Sequence, residues 1–227
     1  MKIIKISVVL PCRNEEQSIG ICINKIKEVF LKEKINGEII VSDNKSIDNS
    51  AKIAKDLGAK VVYSNKIGYG YACLDALKKV NGKYIILADA DNSYDFYEIP
   101  KFIKELDDGF DFVIGNRFKG KMEKKSMYLV RKIGNHILSN FLNLFFNTGI
   151  YDTHCGFRGI KKEVLNKLKL ESEGMEFASE MVIKAKFLNL KIKEIPINYY
   201  PRIGKSKLNS IRDGFRHLRF ILSYKIR

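Results

Sequence analysis

The chain has 227 residues, of which 45% are hydrophobic, so it is long enough to bury one sizeable core but short for two full domains. No stretch approaches the roughly 20 consecutive apolar residues that a membrane-spanning helix needs, and the amino end lacks the layout of a signal peptide, so we expect a cytoplasmic protein. The net charge of +15 favours polyanionic partners such as nucleic acid, anionic lipid head groups or phosphorylated substrates.

The four cysteines lie far apart in the sequence and form no C-x-x-C pair. No cluster of cysteine and histidine has the spacing of a zinc site. The sequence therefore predicts neither a disulfide framework nor a structural zinc ion. We expect four reduced side chains, Cys12, Cys22, Cys73 and Cys155.

Short apolar runs alternate with helical patterns through the first 120 residues. Strands are expected at 6–10, 38–42, 60–63, 84–87 and 112–115, and helices at 18–32, 49–57, 71–80 and 99–106. Because the strands are continuously apolar and separated by helices, they indicate a mostly parallel sheet with helices on both faces. The expected fold is a doubly wound α/β layer.

The pattern changes after about residue 120. A long helix is expected at 127–146, then a turn at 147–149, then shorter segments that end in a basic helix. Because no linker, repeat or low-complexity tract separates the two parts, we expect a single domain over 1–227, in which residues 121–227 extend the layer of residues 1–120.

Two aspartates, Asp89 and Asp91, follow the apolar run 84–87 with one alanine between them. If the extended strand continues through them, its alternation places both carboxylates on one side. Ligands of such sheets bind at the carboxyl ends of the strands, where Asp43 also falls, so we expect one shared crevice. Paired carboxylates suit Mg²⁺ or Mn²⁺ shared with a substrate diphosphate. An isolated D-x-D can equally be a polar exit from a strand into a loop.

The turn after the first strand lacks the glycine-rich patterns of the common nucleotide sites. It reads P-C-R-N-E at 11–15, whereas a dinucleotide fold needs G-x-G-x-x-G there and a P-loop needs G-x-x-x-x-G-K-S/T. The pair Gly68 and Gly70 lacks a third glycine and is expected to form a turn before a helix. The sequence therefore excludes both of these nucleotide-binding classes.

Several motifs together resemble a known family. The chain carries P-x-x-N-E at 11–15, V-S-D-N at 41–44 and D-A-D at 89–91, which resemble the nucleotide-sugar half of inverting family 2 glycosyltransferases of the GT-A fold. It also carries G-N-R at 115–117, D-T-H-C-G-F-R at 152–158 and Y-P-R-I-G-K-S-K-L at 200–208, so the resemblance covers essentially the whole chain. Among these enzymes it looks most like the dolichyl-phosphate mannose or glucose synthases.

The resemblance implies transfer of a hexose, with inversion, from a nucleotide diphosphate sugar of the GDP-mannose or UDP-glucose type to a polyprenyl (dolichyl) phosphate. Residues 1–120 would bind this donor and residues 121–227 the acceptor. The implied contacts to base and ribose are Pro11, Arg13, Glu15, Val41 and Asp43. The implied contacts to ribose, diphosphate and metal are Asp89, Ala90 and Asp91, with Asp89 and Asp91 as ligands of Mg²⁺ or Mn²⁺.

Catalysis in such a site depends on stabilising the negative charge that builds up on the leaving group. Negative charge grows on the departing diphosphate, where a divalent cation together with Arg202 and Lys207 would stabilise it. A phosphate acceptor, with a second pKa of about 6, is largely dianionic and needs no strong base. The resemblance implies that Arg117, Arg131 and Asn135 hold this phosphate. The expected catalytic residues are Asp91, Arg117, Arg202 and Lys207.

Another acceptor would require different chemistry. A sugar hydroxyl or a phosphoglycerate needs a carboxylate base, for which Asp152, Glu176 and Glu180 are candidates. Glu180 can equally be a solvated helix residue. His154 could orient a phosphate, although a lone histidine is commonly structural.

The membrane and nucleic acid are the two remaining partners to weigh. The basic, amphipathic segment 211–227 can lie in a membrane interface or pack on the sheet, and the same two alternatives apply to residues 141–146. We expect peripheral attachment to the cytoplasmic face of the membrane. A basic nucleic-acid-binding α/β protein is the competing class, but the cations are dispersed and no aromatic stacking motif accompanies them, so we expect no nucleic-acid partner.

Overall fold

A computed structural model describes residues 4–206 and 210–225 of the chain. Within these residues, seven strands form one sheet in the order β3-β2-β1-β4-β6-β5-β7. Only β6 among them runs antiparallel to its neighbours. The strands are β1 (Ile6–Cys12), β2 (Gly37–Asp43), β3 (Lys60–Tyr63), β4 (Tyr84–Leu87), β5 (Phe112–Asn116), β6 (Arg158–Lys161) and β7 (Ile192–Pro196).

Helices cover both faces of the sheet. They are α1 (Ile19–Lys32), α2 (Ser50–Asp56), α3 (Tyr69–Leu77), α4 (Ile99–Asp107), α5 (Leu129–Phe146), α6 (Lys162–Leu168), α7 (Phe177–Phe187) and α8 (Ser210–Lys225). This confirms the expected single α/β domain with a mostly parallel sheet.

The core surrounds the central strand β1. Its consecutive side chains Val8, Val9 and Leu10 are all fully buried. Since neighbouring side chains point to opposite faces of a strand, both faces must be covered, which explains why the sequence is continuously apolar here. Helix α1 buries Ile19, Ile23 and Ile26 at helical spacing against this core.

The second half of the chain completes the same sheet. Strand β6 inserts between β4 and β5, and β7 pairs with β5 at the edge. The sequence did not predict β6, β7, α6 or α7. Residues 1–120 and 121–227 therefore share one sheet.

Helices α5 and α8 pack together beside α7. Leu142 and Phe146 of α5 form an apolar cluster with Ile183 of α7 and Ile221 of α8. Helix α5 ends at Asn147, whose φ of 48° is left-handed, in the predicted turn 147–149. None of the helices in the described ranges is long and apolar enough to cross a membrane.

Candidate active site

A cavity of about 490 Å³ opens at the carboxyl ends of β1 and β4. Cavities of this size are typical of small-molecule sites. Its wall combines the loops after these strands with α5, the start of α3 and the first turns of α8. The sheet thus brings together segments from both halves of the chain at the edge where ligands of such folds bind.

Asp89 and Asp91 both line the cavity, but not because a strand carries them. Strand β4 ends at Leu87, so the expectation of an extended strand through both aspartates is wrong. The loop is held instead by hydrogen bonds. Ser18 Oγ donates to the Ala90 carbonyl at 2.8 Å, and the Ser93 amide donates to Asp91 Oδ1 at 3.0 Å.

The two carboxylates disfavour each other's charge. Burial, followed by the negative charge of Asp91, raises the pKa of Asp89 to about 7. A cation between them would remove this repulsion. No group of three or more His, Cys, Asp or Glu side chains is placed to hold a metal ion in the described ranges. Two carboxylates nevertheless fit Mg²⁺ or Mn²⁺, because such ions in substrate complexes take further oxygens from phosphate and water.

Arg202 lines the cavity and forms ion pairs with two of its carboxylates. Its Nη2 lies 2.8 Å from Glu15 Oε1 and its Nη1 lies 3.3 Å from Asp91 Oδ2. The amide of Ile203 donates to the Asp91 carbonyl at 3.0 Å, so the segment 200–206 packs directly on the D-A-D loop. A guanidinium therefore already stands beside the expected metal ligand. Lys207, the partner expected for Arg202, lies outside the described residues.

The residues expected at the base divide into two groups. Pro11, Arg13 and Glu15 line the cavity, whereas Val41 and Asp43 do not. Val41 is fully buried within β2, so its side chain does not reach the cavity. Asp43 is 5% exposed and pairs in register with Cys12 on the cavity wall. Its Oδ1 has no hydrogen-bond partner in the described part of the chain.

Arg117 is held by a buried carboxylate. Its Nε donates to Asp152 Oδ2 at 2.8 Å and its Nη2 to Asp152 Oδ1 at 2.7 Å. Burial alone would lower the pKa of Arg117, but the charge and hydrogen bonds of Asp152 outweigh it and raise the pKa well above its ordinary value. The guanidinium also lies 5.2 Å from the ring centre of Tyr199. Arg117 is thus a fixed cation on the cavity wall.

Arg131 and Asn135 lie on α5 and line the same cavity as Arg117. Arg131 Nη2 donates to Ser206 Oγ at 2.8 Å, which ties the segment 200–206 to α5. The structure therefore brings the three residues expected at an acceptor phosphate to one cavity.

The candidate general bases are otherwise engaged. Asp152 is fully buried in its pair with Arg117, so it would have to break that pair to accept a proton. Glu176 lies away from the main cavity, with Oε2 2.9 Å from Arg216 Nε. Glu180 is 1% exposed and accepts the amides of Glu171 and Ser172, so it is not a solvated helix residue. None of the three is well placed to be a base.

Gly156 shows why one glycine is needed beside the aspartates. A Cβ added there would lie 3.0 Å from Asp89 Oδ2 and 3.1 Å from Tyr94 Oη. The Gly156 amide donates to that tyrosine hydroxyl at 2.8 Å. The G-F-R part of the motif at 152–158 therefore lets backbone approach the Asp89 carboxyl closely.

Several wall residues carried no signal in the sequence. Their positions depend on contacts between distant segments, and no motif marked them in advance. They include Tyr69, Met175, Tyr199 and His217. His154, which the sequence left between two interpretations, also lines the cavity and hydrogen-bonds to Thr153 and Ser179.

Comparison with known proteins identifies the class of this fold and site. Residues 7–169 match the model of the family described as Glycosyl transferase family 2. The chain therefore belongs to glycosyltransferase family 2, and it is an enzyme of that family. This confirms the resemblance seen in the motifs.

Two curated relatives come from Haloferax volcanii. The low-salt glycan biosynthesis hexosyltransferase Agl6 is 42% identical over 96% of this chain. A dolichyl-phosphate hexose transferase is 28% identical over 92% of this chain and 89% of its own length. The chain spans about half the length of the first of these relatives, 53%.

Solved structures share the fold at low identity. Glucosyl-3-phosphoglycerate synthase from Mycobacterium tuberculosis, in complex with uridine diphosphate, superposes with a TM-score of 0.76 at 19% identity, covering 97% of this chain and 80% of that one. Mannosyl-3-phosphoglycerate synthase from Rubrobacter xylanophilus gives 0.75 at 21% identity, covering 96% and 73%. These similarities support the GT-A fold.

Proposed function

We propose that this protein transfers a hexose from a nucleoside diphosphate sugar to a polyprenyl phosphate, with inversion and with Mg²⁺ or Mn²⁺ bound at Asp89 and Asp91. The observation that carries the proposal is that one cavity holds both kinds of group that such a transfer needs. Asp89 and Asp91 line it together with Arg117, Arg131 and Asn135. A metal-bound diphosphate suits the two carboxylates, and an acceptor phosphate suits the arginines and the asparagine.

The donor would lie along the loops after β1 and β4. Pro11, Arg13 and Glu15 would contact base and ribose. Asp43 Oδ1, which has no hydrogen-bond partner in the described part of the chain, would accept a hydrogen bond from a base N–H once a movement of the cavity wall exposed it. The structure of the mycobacterial glucosyl-3-phosphoglycerate synthase with Mn²⁺ and uridine-diphosphate-glucose, which shares this fold, supports the use of a divalent cation. The cation would neutralise charge on the departing diphosphate.

Arg202 would help the diphosphate to leave. It now pairs with Glu15 and Asp91, so its charge already faces the place where the diphosphate would gain negative charge. A bound cation would replace it at Asp91 and free one face of the guanidinium for phosphate. Lys207 would join it there by the same sequence motif.

The acceptor would approach from α5. Arg117, locked by Asp152, and Arg131 would hold its phosphate oxygens, and no proton has to be removed before attack. The engaged state of Asp152, Glu176 and Glu180 supports this chemistry over a hydroxyl acceptor that needs a base.

A lipid acceptor is supported by the exposed apolar face at the start of α5. This face, between 49% and 76% exposed, consists of Tyr128, Leu129, Val130, Ile133 and Ile137. Exposed lysines precede it in the chain at Lys121, Lys124 and Lys125. Apolar and basic residues together favour an anionic membrane surface. The name of the dolichyl-phosphate hexose transferase relative supports the same acceptor class. Our proposal includes peripheral attachment to the cytoplasmic face of the membrane.

This surface differs from the two segments that the sequence pointed to. Within 141–146, Leu142 and Phe146 are buried against α7 and α8. Helix α8 packs through Ile221, although Phe215 is 70% exposed. We therefore assign membrane contact chiefly to the start of α5.

An acceptor screen tests the proposal. Hexose transfer from GDP- and UDP-sugars is measured with Mg²⁺ or Mn²⁺ and with polyprenyl phosphate, phosphoglycerate or no acceptor. We expect a lipid-linked product that carries the inverted anomeric configuration. Arg131→Ala should raise the KM for polyprenyl phosphate about tenfold and raise the KM for the donor by less, because its guanidinium would bind the acceptor directly and reaches the donor side only through Ser206. Transfer only to phosphoglycerate would overturn the lipid acceptor.

A further inference from the structure

Two histidines from distant parts of the chain meet at one side of the cavity. His154 lies in the loop after α5 and His217 lies on α8, with ring centres 4.4 Å apart and nearly perpendicular planes. Both residues line the cavity. His217 is 5% exposed, so it belongs to the interior and not to the solvent face of α8.

A chain of hydrogen bonds joins the two rings to the protein interior. Ser139 Oγ lies 2.8 Å from Thr153 Oγ1, which lies 3.0 Å from His154 Nδ1. His154 Nε2 lies 3.1 Å from Ser179 Oγ, which lies 2.9 Å from His217 Nδ1. The last ring nitrogen, His217 Nε2, makes no hydrogen bond to any residue in the described ranges.

The chain can run in one direction toward the cavity. Ser139 Oγ already accepts the amide of Thr153 at 3.2 Å, so its own hydrogen is available for Thr153 Oγ1. Thr153 then donates to His154 Nδ1, and His154 Nε2–H donates to Ser179. Ser179 in turn donates to His217 Nδ1. In this arrangement the hydrogen of His217 is on Nε2, the one nitrogen that the network leaves unbonded.

Both rings are neutral at physiological pH. Burial, then the neighbouring His217 and Arg158, lower the pKa of His154 well below 6.5, and burial lowers the pKa of His217 to about 4. A group with so low a pKa is a poor proton acceptor near pH 7, so His217 is unsuited to be a general base. It is suited to donate a hydrogen bond to a neutral polar group.

The place of the histidines in the cavity indicates which substrate part they meet. His154 lies two residues after Asp152, the partner of Arg117, and two residues before Gly156, which packs on the Asp89 carboxyl. Arg117 is also close enough to His154 for its charge to lower the pKa of that ring. The pair therefore lines the same cavity as Asp89, Asp91, Arg117 and Arg131, in which a transferred hexose would have to lie.

We propose that His217 Nε2–H donates a hydrogen bond to a hydroxyl of the transferred hexose, so that α8 contributes a sugar-specificity residue to the active site. This inference rests on the proposed function and adds to it the residue that reads the sugar. A site built to pair with one hydroxyl discriminates against sugars that place it elsewhere, because the buried donor is then left unsatisfied.

The test compares the affinity for a nucleoside diphosphate sugar with that for the bare nucleoside diphosphate, by calorimetry on the full chain with Mn²⁺. Replacement of His217 by phenylalanine should weaken binding of the sugar nucleotide about tenfold and leave binding of the diphosphate unchanged. His217→Gln, which keeps an amide donor of similar reach, should restore part of the loss. His136→Phe, at an exposed histidine outside the cavity, should change neither affinity.

A second variant reaches His217 without touching the cavity. Ser179→Ala removes the nearer of the two hydrogen-bond partners of His217 Nδ1, at 2.9 Å, and leaves His154 Nε2 at 3.3 Å. It should give a smaller loss for the sugar nucleotide alone, with the folded state checked by its melting temperature. Equal affinities of wild type and His217→Phe for the sugar nucleotide would overturn the inference while the proposed function stands. A wild-type protein that binds neither nucleotide would overturn the proposed function itself.

Discussion

At the scale of single residues, the pair Arg117 and Asp152 is among the ion pairs most removed from water. Their side chains are 7% and 0% exposed, whereas Lys5 and Asp107 are 44% and 43% exposed. Breaking a buried pair by removing one partner leaves the other charge without compensation, which costs about 3–5 kcal/mol, while an exposed pair contributes about 0–1 kcal/mol. The same carboxylate therefore supports both the fold and the orientation of Arg117 on the cavity wall.

We accordingly expect Asp152→Ala to lower the free energy of unfolding by about 3 kcal/mol or more. The matched control Lys5→Ala should lower it by less than about 1 kcal/mol. Urea titrations followed by circular dichroism measure both changes. Similar small losses in the two variants would show that Arg117 finds another partner when Asp152 is absent.

The buried negative charge of Asp89 lowers the stability of the folded protein, and a bound cation would remove this effect. Its pKa of about 7 means that ionisation in the folded protein is opposed by burial and by Asp91. At pH 8 and without metal, Asp89→Asn should raise the free energy of unfolding, by an amount on the order of 2 kcal/mol, and the melting temperature by several degrees.

Asp89→Asn should also no longer be stabilised by a bound metal ion. Mn²⁺ with a nucleoside diphosphate should raise the melting temperature of the wild type and leave that of Asp89→Asn unchanged, since ligands stabilise only the state that binds them. Equal stabilisation of both proteins would remove Asp89 from the metal site.

At the scale of elements, local sequence patterns predicted those strands and helices that bury one clear face. Strands β1 to β5 and helices α1 to α5 all follow from apolar runs or helical spacing. Strand β6 did not, because its four residues R-G-I-K have no apolar alternation and are strand only through pairing with β4 and β5. Helix α7 was missed because most of its side chains are buried, which leaves no polar face to give a period.

Helix α8 is docked through a histidine, which makes its packing sensitive to acid. His217 has a lowered pKa of about 4 and His154 one well below 6.5; Asp213 opposes the shift of His217, and Arg158 and Arg216 add to it. As the pH falls from about 6.5 to about 4, the unfolded chain takes up protons that the folded protein refuses. This contribution to stability is complete above pH 6.5 and is lost across that interval.

We therefore expect the urea midpoint of the wild type to fall between pH 7.5 and pH 4.5 by more than that of His217→Gln. The control His136→Gln should keep the wild-type dependence, because His136 is exposed. Parallel pH profiles for the three proteins would contradict the role of His217 in docking α8.

At the scale of the whole molecule, the candidate active site joins segments that are distant in sequence, as in the ion pair between Glu15 and Arg202, which are 187 residues apart. The resemblance of the motifs led to the aspartates and arginines. It could not show that Val41 is buried away from the cavity, which depends on the packed sheet, nor that His217 lines the cavity, which depends on how α8 docks.

The membrane contact proposed for the start of α5 can be tested by adding negative charge to its exposed apolar face. Leu129→Asp should weaken binding to anionic vesicles at least tenfold, because it removes apolar contact and adds a repelled charge. Leu31→Asp, at a leucine of α1 that is even more exposed than Leu129 (82% against 70%), should have little effect on vesicle co-sedimentation. If both variants bind as the wild type does, the membrane face lies elsewhere on the protein.

The central claim is that a cation held by Asp89 and Asp91 receives the charge of the departing diphosphate. It is tested most directly by the release of nucleoside diphosphate in the presence of polyprenyl phosphate, compared for Asp91→Asn and for Asp95→Asn, a neighbouring acidic residue outside the cavity wall. We expect Asp91→Asn to lose about 10²-fold or more of the rate and Asp95→Asn to retain it. If Asp91→Asn released nucleoside diphosphate as fast as the wild type, the metal-binding role of Asp91 would be wrong.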